Sequence, residues 1–452
     1  MTSTITTHWL LGRLSSFKEE PALIWNEQQY SYQNILEGVN RWQDELRKSG
    51  IKPGDCVALY GDYSPNICML LVALLINRNI AVPLTTSVAD KKEKFLNIAQ
   101  AAALFDFDNN DNWHLTKREI IDTNPLLHQL QSAGEPGLIL FTSGSTGESK
   151  ALLLNFNKLI ANFEKPRPKF RSLTFLLLDH IGGINTLFYI FSSGGTAISI
   201  DERSPKAICQ AIERYRVQLL PTTPTFLNML LISEAYKRYD LSSLELITYG
   251  TEPMPASTLD NLNKTFPNVK FKQTYGLSEL GIPKTQSRDS NSLWIKISGA
   301  GFETKIVDKV LWVRSESAML GYLNAPSPFD KDGWFNTGDA VEVDGEYIRI
   351  LGRTSEIINV GGEKVYPAEV ESVLREMDNI KEVAVRGKSN PVIGNVVVAT
   401  VNLVEPEDPQ KLNQRMREFC KDKLAPFKIP MVLKVSEEKL YSGRFKKMRK
   451  GA

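Results

Sequence analysis

Phe141-Thr142-Ser143-Gly144-Ser145-Thr146-Gly147-Glu148-Ser149-Lys150 follows directly on the apolar run GLIL at 137–140, so a strand feeds a loop of small residues. Gly144 and Gly147 let the backbone bend and come close to a ligand. The hydroxyls of Thr142, Ser143, Ser145 and Thr146 crowd beside exposed backbone N–H groups, and Lys150 closes the stretch with a cation. These are the parts of a phosphate cradle. A Walker loop is excluded, because Gly144 is not followed at the required offset by Gly-Lys-Ser/Thr.

Outward from this loop the chain alternates between short apolar runs and longer amphipathic ones. Ile35, Val39, Trp42 and Leu46 recur at helical spacing over 31–49, and Gly50 follows as a stop signal. CVALY at 56–60, a helix opening at Ser64-Pro65 and IAVPL at 80–84 read as strand, helix, strand. The runs at 137–141, 171–178, 196–200, 217–221 and 244–250 continue the pattern and predict layered α/β sheets, mainly parallel. From about residue 300 close-set strands and turns take over, as in KIVDKVLWVR and GEYIRILGR, and predict a small β-barrel-like part. A boundary is expected at Arg353, giving a large domain over 1–353 and a small mobile α+β domain over 354–452 built from PAEVESVLREM, NVVVATVNLV and KLNQRMREFCKDKL.

The 452 residues carry 54 Lys plus Arg against 52 Asp plus Glu, a net charge of +2, which argues against a dedicated nucleic-acid binder. The four cysteines, Cys56, Cys68, Cys209 and Cys420, form no Cys-x-x-Cys pair, so neither a disulfide framework nor a zinc knuckle is expected and a reducing cytoplasm fits. No run is long and apolar enough to suggest a membrane span or a signal peptide.

FTSGSTGESK resembles the phosphate loop of the acyl-adenylate-forming superfamily, which includes acyl-CoA synthetases, aryl-acid ligases, peptide-synthetase adenylation domains and firefly luciferase. Three further motifs follow in order: YGLSE at 275–279, WFNTGD at 334–339, and GRTSEIINVGGEKVYPAEVE at 352–371. The resemblance therefore spans the chain and implies ATP, Mg²⁺ and coenzyme A, or the phosphopantetheine of an acyl carrier protein, as co-reactants of a small carboxylic acid. It implies that ATP is held by residues 142–147 together with Gly250, Thr251, Tyr275, Gly276, Leu277, Ser278 and Glu279. Tyr275 offers a flat ring for adenine and Glu279 a hard oxygen ligand for Mg²⁺. Asp339 can accept from both ribose hydroxyls, and Arg353 brings a planar cation to the ribose and phosphate side.

His180, in FLLLDHIGG, falls where acyl-CoA synthetases of the superfamily carry a His beside the acid's carboxylate, with Asp179 a less usual neighbour. Amino-acid adenylation domains place an Asp at the aligned position, so His180 counts against an amino acid. The implied acid pocket comprises His180 to Asn185 with Gly183, Tyr249 to Thr251 with Gly250, and Leu280 to Pro283 with Gly281 and Ile282. Ile282 and Pro283 narrow it toward a small or medium acyl or aryl acid. Gly361, Gly362 and Lys364 resemble the loop lining the thiol's tunnel.

Two positions depart from the superfamily. Its C-terminal catalytic lysine sits in a Gly-Lys context; here YSGRFKKMRK puts Arg444 in that place, with Lys446 or Lys447 as substitutes by a register shift. At the hinge, Ser355 stands where Asp or Lys is usual, and a small residue can still absorb a domain rotation. With Thr142, Lys150, His180, Glu279 and Arg444 as the catalytic set, the expected activity is formation of an acyl-adenylate and transfer to a thiol, most directly coenzyme A. Loading of a carrier protein, and a nucleotide-binding member weakened by Arg444, stand as alternatives, with a luciferase-like oxidation more distant.

Overall fold

The computed structural model describes residues 8–120, 124–143, 148–391, 393–443 and 445–449, with Ser143 described by its backbone. The predicted helix over 31–49 spans Tyr32–Lys48; Ser31 caps it, accepting from the Asn34 N–H while the Asn34 side chain returns a bond to the Ser31 N–H. Its Ile35, Val39, Trp42 and Leu46 stripe is buried. Ser64 caps the helix Pro65–Ile76, whose proline sits where no intrahelical donor is needed. That helix is apolar all round and buried all round.

Two seven-stranded sheets make the large domain. One runs in the spatial order 270–273, 246–249, 219–222, 171–173, 196–198, 21–25, 28–31, parallel except for its terminal hairpin. The other runs 321–322, 149–155, 137–143, 80–84, 56–60, 103–107, 113–117, with a parallel centre and antiparallel edges. Strands 284–287 through 347–353 build a six-stranded antiparallel sheet, the small β part. It ends at Arg353; the next strand, Ile358–Val360, belongs to a separate five-stranded sheet covered by helices Pro367–Leu374 and Pro409–Cys420, with its own buried core. All four cysteines are free and buried. Among the described residues no helix is long and apolar enough to cross a membrane.

The run 171–178 is shorter as a strand than its apolarity predicts. Only Arg171–Leu173 pairs, and residues 174–180 turn away to pass beneath the helix Ile181–Ser193. Contact there is so close that a Cβ on Gly183 would lie 2.0 Å from the Leu177 carbonyl oxygen. Leu178 is buried there, while Leu176 and Leu177 are half-buried and line a pocket, so burial and a pocket wall rather than strand pairing account for the run.

Candidate active site

The strand that leads into the predicted phosphate loop pairs with the strand that follows it. Gly137–Ser143 pairs antiparallel with Ser149–Asn155, Thr142 lying opposite Lys150. Gly144, Ser145, Thr146 and Gly147 lie outside the described residues, as does the Ser143 side chain. The hairpin base is clamped by Asn324, which accepts from the Ala151 N–H and donates to the Ser149 carbonyl.

Lys150 and Glu279, 129 positions apart in the chain, meet through Tyr322. The Lys150 ammonium stands 5.0 Å from the centre of the Tyr322 ring, and the Tyr322 hydroxyl donates to Glu279 Oε1 at 2.8 Å. Burial and the Glu279 carboxylate push the Tyr322 hydroxyl well above its ordinary value, so it stays a donor. Sequence reading missed Tyr322 because the surrounding GYLNAP has no motif of its own.

Glu279 belongs to a tight turn. The Leu280 and Gly281 N–H groups both donate to the Leu277 carbonyl, and Gly281 takes φ +82°. A Cβ on Gly276 would come within 2.8 Å of Ile282, which brings the predicted ATP-binding Gly276 against the predicted acid-pocket residues Gly281 and Ile282. Among the described residues no three His, Cys, Asp or Glu side chains are grouped to hold a metal by themselves. One carboxylate beside a phosphate loop suits Mg²⁺ arriving on a nucleotide, since that ion keeps several waters and takes few protein ligands.

Next to this turn, Tyr275, Asp339 and Arg353 form one constellation. The buried Tyr275 hydroxyl donates to Asp339 Oδ2 at 2.7 Å, and Arg353 Nε lies 3.0 Å from Asp339 Oδ1. A further Arg353 nitrogen donates to the Thr337 carbonyl. Burial raises the Asp339 carboxyl above its usual range, while Arg353 and the Tyr275 hydroxyl pull the other way. The structure thus brings three of the predicted nucleotide residues together, with Tyr275 and Arg353 each holding one oxygen of Asp339.

His180 ends the buried loop 174–180 and caps the helix Ile181–Ser193, its Nδ1 accepting from the Gly182 N–H at 3.1 Å. Accepting a backbone N–H leaves Nδ1 without a proton, so neutral His180 carries its proton on Nε2. Asp179 turns the other way: its Oδ2 accepts from Thr85 Oγ1 at 2.8 Å and Ser87 Oγ at 3.2 Å. His180 therefore faces the pocket, and Asp179 anchors the loop behind it.

That pocket opens at the C-terminal edge of the mainly parallel sheet. Phe175, Leu176, His180, Arg203, Thr223 and Thr251 line one side, and Gly443, Phe445 and Lys446 of the C-terminal tail line the other. Such an edge, where strand order reverses, is where open α/β sheets bind ligands. Thr251 holds φ +73°, a conformation costly for a side chain with a branched Cβ. At Gly250 no side chain fits, because a Cβ would come within 2.7 Å of the Thr274 carbonyl oxygen. Tyr249 is fully buried beneath them.

Arg444, the residue expected to supply the C-terminal cation, lies outside the described residues. Lys446 Nζ stands 3.4 Å from His180 Nε2. Phe445 packs its ring against Phe175, Phe226 and Tyr441, and its carbonyl accepts from Thr223 Oγ1 at 2.9 Å. Glu252 joins the two domains, accepting from the Thr225 N–H through one oxygen and from the Lys447 N–H through the other. Glu252 and Phe445 were not legible as site residues; a lone aromatic inside a basic run was the one local sign.

The predicted thiol-tunnel residues are not part of this pocket. Gly361 and Gly362 form the turn of the hairpin Ile358–Val360/Glu363–Val365, and Lys364 lines a separate polar cleft with Asp308, Lys309, Thr354 and Tyr366. Ser355 lies exposed in the short turn Thr354–Glu356 between the sheets.

Comparison with known proteins identifies the family and the fold. A family model described as AMP-binding enzyme matches residues 13–323, and one described as AMP-binding enzyme C-terminal domain matches 369–443. An indoleacetate–CoA ligase of Aromatoleum aromaticum is 29% identical over 90% of both chains. A 2-succinylbenzoate–CoA ligase of Bacillus pumilus is 27% identical over 94% of this chain and 92% of its own. Among solved structures, an anthranilate CoA ligase in complex with anthranoyl-AMP superposes with a TM-score of 0.82 at 19% identity, covering 97% of this chain and 95% of that one.

Proposed function

The chain belongs to the AMP-binding enzyme family, and on that footing we propose that it is an ATP-dependent acid–thiol ligase that forms an acyl-adenylate and passes the acyl group to coenzyme A. A carboxylate oxygen attacks the α-phosphorus of ATP, the bond to the β-phosphate oxygen breaks, and pyrophosphate leaves with the bonding pair. A thiol then attacks the acyl carbon, AMP departs, and the thiol proton passes to solvent.

One observation carries this reading: His180 Nε2 and Lys446 Nζ stand 3.4 Å apart as two donors. Neither can accept from the other while His180 is neutral with Nδ1 engaged and Lys446 is an ammonium. Two such donors suit an anionic oxygen placed between them, a carboxylate or a developing phosphate charge. Tyr275, Asp339 and Arg353 supply the nucleoside side, and Thr142 and Lys150 the phosphate side. Bound Mg²⁺ on Glu279 would neutralise the leaving pyrophosphate. Lys446, rather than Arg444, is proposed as the tail cation. Transfer to the thiol calls for the tail to withdraw and the Gly361-Gly362 turn to approach, with Ser355 at the pivot. The cytoplasm is the proposed compartment.

The test is pyrophosphate exchange with Mg·ATP over a panel that includes indoleacetate, 4-coumarate, anthranilate and 2-succinylbenzoate. Thioester formation is then measured separately with coenzyme A and with a phosphopantetheinylated carrier protein. Exchange with at least one acid, and thioester on coenzyme A, is the expected result. Absence of exchange with every acid would leave a nucleotide-binding protein without ligase activity; thioester on the carrier alone would reassign the acceptor.

A further inference from the structure

The tail that brings Lys446 to His180 is held from its opposite side. Residues 440–442 lie against 446–448: Tyr441 pairs with Lys447, the Ser442 N–H donates to the Lys446 carbonyl at 2.8 Å, and the Met448 N–H donates to the Leu440 carbonyl at 2.9 Å. Side chains of an extended segment alternate, so Lys447 and Arg449 share a side that Lys446 does not. Both meet Glu371, on the helix Pro367–Leu374. Lys447 Nζ lies 3.1 Å from Glu371 Oε2, and Arg449 donates through Nε to Oε1 and through Nη2 to Oε2, each at 2.9 Å. A third Arg449 nitrogen reaches Glu356 at 2.7 Å. The Val385 N–H donates to Glu371 Oε1, so the carboxylate is also tied to the sheet of the small domain.

We infer that Glu371 is a positioning residue for adenylate formation: by gathering Lys447 and Arg449 on one side of the tail, it sets the register that delivers Lys446 to His180. A slip of one residue would either bring Lys447 to His180 and Met448 to Glu371, or bring Lys446 to Glu371 and Phe445 to His180, and the paired contact of Arg449 with Glu371 opposes both. The inference rests on the adenylation reading for its catalytic consequence, but the register itself can be measured without any acid.

Acylation of the intact protein with a water-soluble N-hydroxysuccinimide ester, read by mass spectrometry, gives the two lysine reactivities. A buried, paired Lys447 reacts at least about tenfold more slowly than Lys446, and Glu371→Gln narrows that gap to within about threefold. With the acid giving the fastest exchange in the panel above, Glu371→Gln lowers kcat for pyrophosphate release by roughly 30-fold or more. Thioester formation from preformed acyl-adenylate stays within about twofold. Glu371→Asp, which keeps the charge one methylene back, recovers most of both. Equal loss in the two half-reactions, or an unchanged lysine gap, would overturn the inference. Should the Gln variant fail to fold, Glu252→Gln, which weakens the acceptor of the Lys447 and Thr225 N–H groups, must show the same split between half-reactions. If wild-type protein activates no acid, the functional reading fails while the lysine reactivities still decide the register.

Discussion

Glu371→Gln should cost the small domain about 3 kcal/mol above pH 5, a penalty that vanishes in acid. Burial alone would raise the Glu371 carboxyl, yet Lys447, Arg449 and the Val385 N–H together bring it down to about 2 from an ordinary 4.5. A difference of about 2.5 pH units at ~1.36 kcal/mol each gives about 3 kcal/mol. The residue is only 2% exposed, so solvent screening removes little of this. Removing one member of a buried ion cluster costs about 3–5 kcal/mol, of the same order, because the cations are left without a counterion. Lys447 is held below its ordinary value by burial and by Arg375, so most of the favourable energy belongs to Glu371 with Arg449.

The sign follows from a depressed folded-state value. The contribution is complete above about 4.5 and is lost as pH falls toward 2. Glu356 and Glu382 also pair with arginines beside the cluster, but they are common to both proteins and largely cancel in the difference. All seven tryptophans precede residue 353, so tryptophan emission reports on the wrong domain. Hydrogen exchange of the Val385 amide is the suitable probe, supplemented by urea titration followed by circular dichroism at pH 3. Protection should fall by about 150-fold between pH 5 and 8, the equivalent of about 3 kcal/mol. A loss under about fivefold, or a difference that persists undiminished at pH 3, would refute the account.

Gly183→Ala should lower stability by about 1–3 kcal/mol and raise the KM for the acid, since the new methyl meets the Leu177 backbone and only a shift of the His180 helix relieves it; urea titration and steady-state kinetics test both. Asp339→Asn should weaken ATP binding by roughly 10–100-fold, a charged hydrogen bond's contribution, with little effect on thioester formation from preformed adenylate. Glu279→Gln should raise the Mg²⁺ concentration needed for half-maximal pyrophosphate release by roughly tenfold, leaving activity at saturating Mg²⁺ less affected. Thr251→Gly should stabilise the fold by about 1 kcal/mol through relief of its positive φ and yet slow adenylation, because the side chain lines the pocket.

Much of the fold could be read locally. The stripe Ile35, Val39, Trp42, Leu46 and the Ser64-Pro65 cap each specify an element within a few residues, and each element formed where periodicity put it. Apolar runs were less reliable: 171–178 looked like one strand because periodicity cannot separate strand pairing from burial beneath a helix. Tyr275, Glu279, Asp339 and Arg353 were legible through their motifs. Tyr322, Glu252, Glu371 and Phe445 were not, because their roles rest on partners far away in sequence, 195 positions for Glu252 and Lys447 and 78 for Glu371 and Arg449.

The basic tail shows why such residues escape a linear reading. RFKKMRK looks like a solvated charge run, and its first residue occupies the position a motif would assign to catalysis. In three dimensions the run divides by side: Phe445 fills an aromatic niche in the large domain, Lys446 enters the pocket, and Lys447 and Arg449 bind a buried carboxylate in the small one. Charge alone cannot tell Lys446 from Lys447, since both are compact ammonium groups; only the carboxylate waiting behind the tail does. A search of related chains for a catalytic lysine should therefore ask which tail residue stands one place before a cation paired to the Glu371 position, rather than which residue follows the glycine.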